Sequence, residues 1–174
     1  MRLLLTSGAI VTCAVLLLLA GSSVKAAEAP LPRVDIKHLI LKPHEIEDLT
    51  EIAVVRDYGS AWQALTQALA ENRADLIDSG FIGIAKEKFT RAVADQDKAG
   101  VRLRYIDYGH TLEPVFYSWE GSAMQLRDTA VMGIQVLEGD KVIHSERRTM
   151  HFITLMTVTE DKWKVRVLES VPGF

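Results

Sequence analysis

The sequence predicts an α+β roll in which N-terminal helices pack in the concave face of a curved antiparallel sheet. Two observations carry this. Hydrophobic spacing is helical from about His44 to Gly100 and then switches to a period of two that lasts to the C-terminus. The alternating half also contains two runs of fifteen or so residues, well beyond the usual five or six, and strands of that length must bend.

The chain opens with Arg2, an apolar segment from Ala9 to Ala20 and a small-residue exit, Gly21 to Ala26. That order of charge, apolar core and small residues is the layout of a signal peptide, with cleavage expected after Ala26 because Val24 and Ala26 then fill the two small-residue positions. The competing reading is an uncleaved anchor over Leu3–Ala20, which would hold the protein at a membrane. Export to a bacterial periplasm or to the outside of the cell is the expected destination. Residues 1–26 are thus read as leader, 27–50 as an arm and 51–174 as the folded domain.

Of 20 basic and 23 acidic side chains, the leader removes Arg2 and Lys25 and no acid, which leaves 18 against 23 and a formal charge of −5. Such a balance argues against nucleic acid as a partner, which needs a concentrated basic surface. Cys13, the single cysteine, lies inside the apolar run, so the mature part has neither disulfides nor thiolate chemistry. One uninterrupted core must stabilise it.

Pro30 and Pro32 punctuate the arm, and Val34–Leu41, whose apolar residues fit neither period cleanly, reads as a short strand or a continuation of the arm, stopped by Pro43. Glu45–Val55 carries an apolar stripe of Ile46, Leu49, Ile52 and Ala53. A second helix begins near Ser60, with Trp62, Leu65 and Leu69 on one face. Asn72–Asp75 breaks the pattern and Leu76–Ile77 make a short turn. A third helix follows, with Phe81, Ile84, Ala85, Phe89, Ala92 and Val93 on its buried face, ended by Gly100. Val101–Tyr108 and Leu112–Trp119 read as strands, with Tyr108–Thr111 as the hairpin loop between them. Glu138–Lys141 and Thr159–Lys162 are further turns between the long runs and the last strand, whose Trp163, Val165 and Val167 share a face. Gly133 is a natural point for a kink or bulge.

The helix Ala61–Leu65, the break at Asn72–Asp75, the helix through Phe89, the two long strands and the closing Glu160–Val165 resemble the nuclear transport factor 2-like superfamily, also called the cystatin-like roll. The resemblance covers about Val54 to Val171 and implies a pocket between helices and sheet. It also implies a choice of roles, because this scaffold hosts isomerases, cyclases and domains without activity. In its ketosteroid isomerase and polyketide cyclase branches a pocket acid or histidine is the base and a tyrosine or protonated acid the donor.

Strand parity supplies candidates for such chemistry. Asp128 shares a face with Met124, Leu126, Ala130 and Met132, and Tyr105 and Asp107 share one with Leu103. Asp128 or Asp107 would be the base and Tyr105 the donor. The competing reading pairs Asp128 with Arg127, Arg147 or Arg148, since buried acids are almost always paired. His110 falls in the expected loop and reads as solvated. His144–Arg148 reads as an exposed or edge section of strand, and no histidine has a partner at metal-ligand spacing, so no metal is expected. Nucleophile elbow, phosphate loop and dinucleotide fingerprint are missing as motifs, and no cofactor is expected.

Two functions follow from these features. The favoured one is an exported non-enzymatic domain that binds a partner protein or a small apolar ligand, with Tyr117 and Trp119 as contact residues and a homodimer through the outer sheet face. The other is a ketosteroid isomerase- or cyclase-like enzyme built on Asp128, Asp107 and Tyr105.

Overall fold

In a computed structural model, which describes residues 30–39, 41 and 45–174, five strands form one sheet in the order β1-β2-β3-β4-β5. The leader and its cleavage point lie outside the described residues. The elements are β1 (Val34–Ile36), α1 (Asp48–Glu71), a 3-10 turn (Ala74–Ser79), α2 (Gly83–Lys98), β2 (Val101–Tyr117), β3 (Ala123–Glu138), β4 (Lys141–Thr159) and β5 (Lys162–Val171). β1 runs parallel to β2, and every other pairing is antiparallel.

The two N-terminal helical segments are one helix of 24 residues. Gly59 and Ser60 do not break it: Ser60 Oγ bonds back to the Arg56 carbonyl, and Gly59 is covered by Pro32 and Val34. Of the stripe expected at its start, Ile46 and Ala53 pack against the core and the other two residues do not. Leu49 and Ile52 are exposed, and the buried face begins at Val54 and continues through Tyr58, Ala61, Trp62, Leu65 and Leu69. Asn72 ends the helix in the left-handed region (φ 53°), a conformation its short amide tolerates. Gln96 donates to the Leu69 carbonyl and to Asn72, and Asn72 donates to the Val101 carbonyl, so one amide pair joins the ends of both helices to the start of the sheet.

Gly80 lies against the backbone of α1, where an added Cβ would stand 2.6 Å from Ala61 Cα. The chain on either side of it docks on β5 through Val165 N–H to Gly80 O and Ile82 N–H to Val165 O. Phe81 is thereby fixed in the core before α2 starts, while Ile84, expected on the buried face, points out.

β2 runs straight through the segment expected to be a loop. Its register against β3 slips between Asp107 and His110 and again between Pro114 and Phe116. Gly133 is not a bulge. It pairs with Ile106 and Arg147, and the register slip lies on the facing strand just past Ile106. Its missing side chain instead makes room for the Tyr108 ring, 3.4 Å from where a Cβ would be, and the Arg147 guanidinium stacks on that ring at 3.8 Å.

Candidate functional site

Register fixes which residues share the concave face. Successive rows across β2, β3 and β4 are Tyr105–Ile134–Glu146, Asp107–Met132–Arg148, His110–Ala130–Met150 and Leu112–Asp128–Phe152. The slip after Asp107 moves the inward positions of β2 from odd to even numbers, which puts His110 on the same face as Tyr105 and Asp107. Gly109 makes this turn in the backbone. Its φ of +128° suits glycine alone, and its N–H donates to Asp107 Oδ1 at 2.7 Å. His110 N–H then pairs outward with the Arg33 carbonyl next to β1.

The result is a chain of polar groups in the middle of the core. His110 Nε2–H donates to Asp107 Oδ2 at 2.8 Å, and Nδ1–H to Asp128 Oδ2 at 2.7 Å. Tyr58, arriving from α1, donates its hydroxyl proton to the same Asp128 Oδ2 at 2.8 Å and stands 3.4 Å from Thr154 Oγ1. The His110 and Asp128 side chains are 0% exposed, and only Asp107, at 15%, reaches solvent. Trp62 covers the imidazole, centroids 4.8 Å apart, and the Trp62 ring in turn meets Phe152 at 5.2 Å. Of four buried side-chain atoms that stay unpartnered among the described residues, two belong to this set, Asp128 Oδ1 and Trp62 Nε1.

Two acceptors on one ring decide its charge. An imidazole donates from both nitrogens only when protonated, and a neutral ring would set a lone pair against a carboxylate oxygen. Burial alone pushes the His110 pKa down, but the hydrogen bonds and charges of Asp107 and Asp128 outweigh it and raise the value to about 9. Burial and the Asp128 charge hold the Tyr58 phenol well above its ordinary range, so Tyr58 stays a neutral donor. The set therefore contains a cation between two acids, with a phenol bonded to the inner one.

Asp128 thus does face inward and is paired, but not with the expected arginines. Arg127 faces Glu113, Arg147 lies on Tyr108 and Arg148 approaches Glu146. Tyr105 is not brought to either acid; it makes an aromatic contact with Trp62, centroids 6.4 Å apart, and burial raises its phenol while Arg148 draws it back. The phenol bonded to Asp128 is Tyr58, which parity arguments confined to strands do not reach. His110, read as a solvated loop residue, is the centre of the site. The glycine before it, inside an otherwise strand-like run, was the available signal of a bulge.

The outer aromatics separate as well. Tyr117 is buried, 2% exposed, and donates to Glu47 Oε2 at 3.0 Å, so its ring belongs to the core and not to an open surface. Trp119, in the β2–β3 turn, is 76% exposed. Among the described residues no three His, Cys, Asp or Glu side chains form a group suited to a metal ion, and no helix is long and apolar enough to cross a membrane.

The chain matches no protein-family model and no curated protein sequence. Solved structures do resemble it. The intermembrane-space region of the chloroplast protein ARC6 aligns at a TM-score of 0.62 with 12% identity, over 70% of this chain and 95% of that one. A putative scytalone dehydratase from Novosphingobium aromaticivorans aligns at 0.50 with 8% identity, over 72% and 89%. At such identities the likeness bears on architecture alone, and together with the helices cradled by the curved sheet it identifies the fold as an α+β roll.

Proposed function

We infer that the chain is an exported, non-enzymatic domain that binds a protein partner, and that Tyr58, His110, Asp107 and Asp128 brace the roll from inside. The observation that carries this reading is the closure of the set: Asp128 and His110 are fully buried and bonded to each other. A general base must reach the proton it removes and have a lone pair aimed at it. Asp128 Oδ2 already accepts two hydrogen bonds, and a protonated His110 has no lone pair to offer. Surface for a partner lies elsewhere, on β4, where Lys141–Thr149 are all exposed.

Asp128→Asn tests the assignment. A bracing role predicts a loss of about 3 kcal/mol in urea unfolding, because removing one partner of a buried pair strands the other. Stability within about 0.5 kcal/mol of the parent, the range of neutral surface changes, would overturn it.

One observation favours a second reading, an isomerase-, cyclase- or dehydratase-like enzyme. Asp128 Oδ1 accepts no hydrogen bond among the described residues, and so could serve as a base toward a substrate held beside Tyr58. One structural neighbour bears the name putative scytalone dehydratase. Under this reading Asp128→Asn abolishes turnover of an enolisable ketone, a loss that a purely bracing role does not predict.

A further inference from the structure

β5 pairs with β4 from Thr159 back to His151 and ends at Val171. From Met150 back to Lys141, β4 is paired with β3 on one side, and among the described residues no strand covers the other. This leaves a backbone edge ten residues long, with unpaired N–H and C=O groups ready to accept another strand. The edge carries Glu146 and Arg148 on the concave face, Ser145, Arg147 and Thr149 on the convex face, and the exposed Val142 and Ile143 near its start.

We propose that the partner at this edge is a second copy of the chain, joined antiparallel about a two-fold axis at Arg147 so that two sheets become one. The inference builds on the docking surface named above but does not depend on the role of the His110 set. Its support is register. A two-fold perpendicular to the sheet keeps each face on its own side, so facing residue numbers must have an even sum. Centring on Arg147 places Glu146 opposite Arg148 twice and Ser145 opposite Thr149 twice, both favourable cross-strand pairs. Centring one position earlier opposes Glu146 to itself, and one later opposes Arg148 to itself.

The remaining like pair, Arg147 with Arg147, is relieved by the geometry already described. Each guanidinium lies back across Gly133 onto Tyr108, away from the edge. The pairing runs over His144–Met150 of each copy, because the outer edge of His151 is already taken by Val171 and β4 bulges at Ile143.

The test uses the full chain with Cys13→Ser, recovered from an exporting host, with single cysteines added. Under mild oxidation Arg147→Cys should form a disulfide dimer, because self-paired residues bring Cβ atoms to about 4.5–5.5 Å. Thr129→Cys, in the middle of the convex face, should stay monomeric. Glu146→Arg and Arg148→Glu should each weaken dimerisation about ten-fold in sedimentation equilibrium, and the double swap should restore it. A dimer linked through Thr129→Cys but not Arg147→Cys would overturn the proposal in favour of pairing through the sheet face. A protein monomeric at all concentrations would overturn it outright, and so would single swaps without effect. Failure here leaves the Asp128→Asn result untouched, so the two readings fail separately.

Discussion

Raising the pH from 6.5 towards 9.5 should strip the proton from His110 and with it the bridge between Asp107 and Asp128. A group whose folded pKa is raised contributes stability that is complete below its unfolded pKa and disappears as pH climbs through the folded one. For His110 those limits are 6.5 and about 9. Across that window the unfolded chain has released a proton that the folded chain keeps, so stability falls with a slope of about 1.4 kcal/mol per pH unit. The whole effect is about 3 kcal/mol, a large part of the 5–15 kcal/mol typical of a domain. The assay is urea unfolding at half-unit pH steps from 6 to 10 on the parent and on His110→Gln. Subtracting the variant removes lysine and tyrosine contributions common to both. The difference curve should be flat below pH 6.5 and drop by about 3 kcal/mol by pH 9.5. A difference that stays flat, or that rises, would refute the imidazolium bridge.

Two further changes probe the supports of the site. Gly80→Ala should destabilise by about 1–3 kcal/mol through overpacking, because the new methyl meets the Ala61 backbone, which cannot turn aside; thermal unfolding reads it directly. Gly109→Ala should cost about 1–3 kcal/mol through the strained φ of +128° and should move the drop in stability of the His110 bridge to lower pH by loosening the Asp107 clasp.

Much of the fold could be read directly. The change of period at Gly100 separates helices from sheet, and the turns at Glu138–Lys141 and Thr159–Lys162 sit where β3, β4 and β5 meet. Asp128 was placed on the inner face because β3 and β2 keep an unbroken register from Thr129 through Arg127. The errors within strands share one cause. Parity propagates along a strand only until a bulge, and a bulge is a tertiary fact about two strands. The slip at Asp107–His110 hid His110, and a second slip at Leu155–Met156 turns Val167 away from the face of Trp163 and Val165. The stripe at Leu49 and Ile52 failed for a different reason. Helical periodicity selects a face, but at this end of α1 only Ile46 and Ala53 find core to pack against. Tyr58 was invisible as a site residue because its link to Asp128 spans 70 positions and two elements.

The most direct test of the account is the ring nitrogen chemistry of His110, followed by proton-detected nitrogen-15 spectroscopy of the imidazole between pH 6 and 10. A structural cation sealed between Asp107 and Asp128 predicts two ring protons, both protected from solvent exchange at pH 7, one of which is lost near pH 9. A neutral ring at pH 7, with one nitrogen bare and its remaining proton exchanging freely, would contradict the sealed bridge and direct attention to Asp128 as a base.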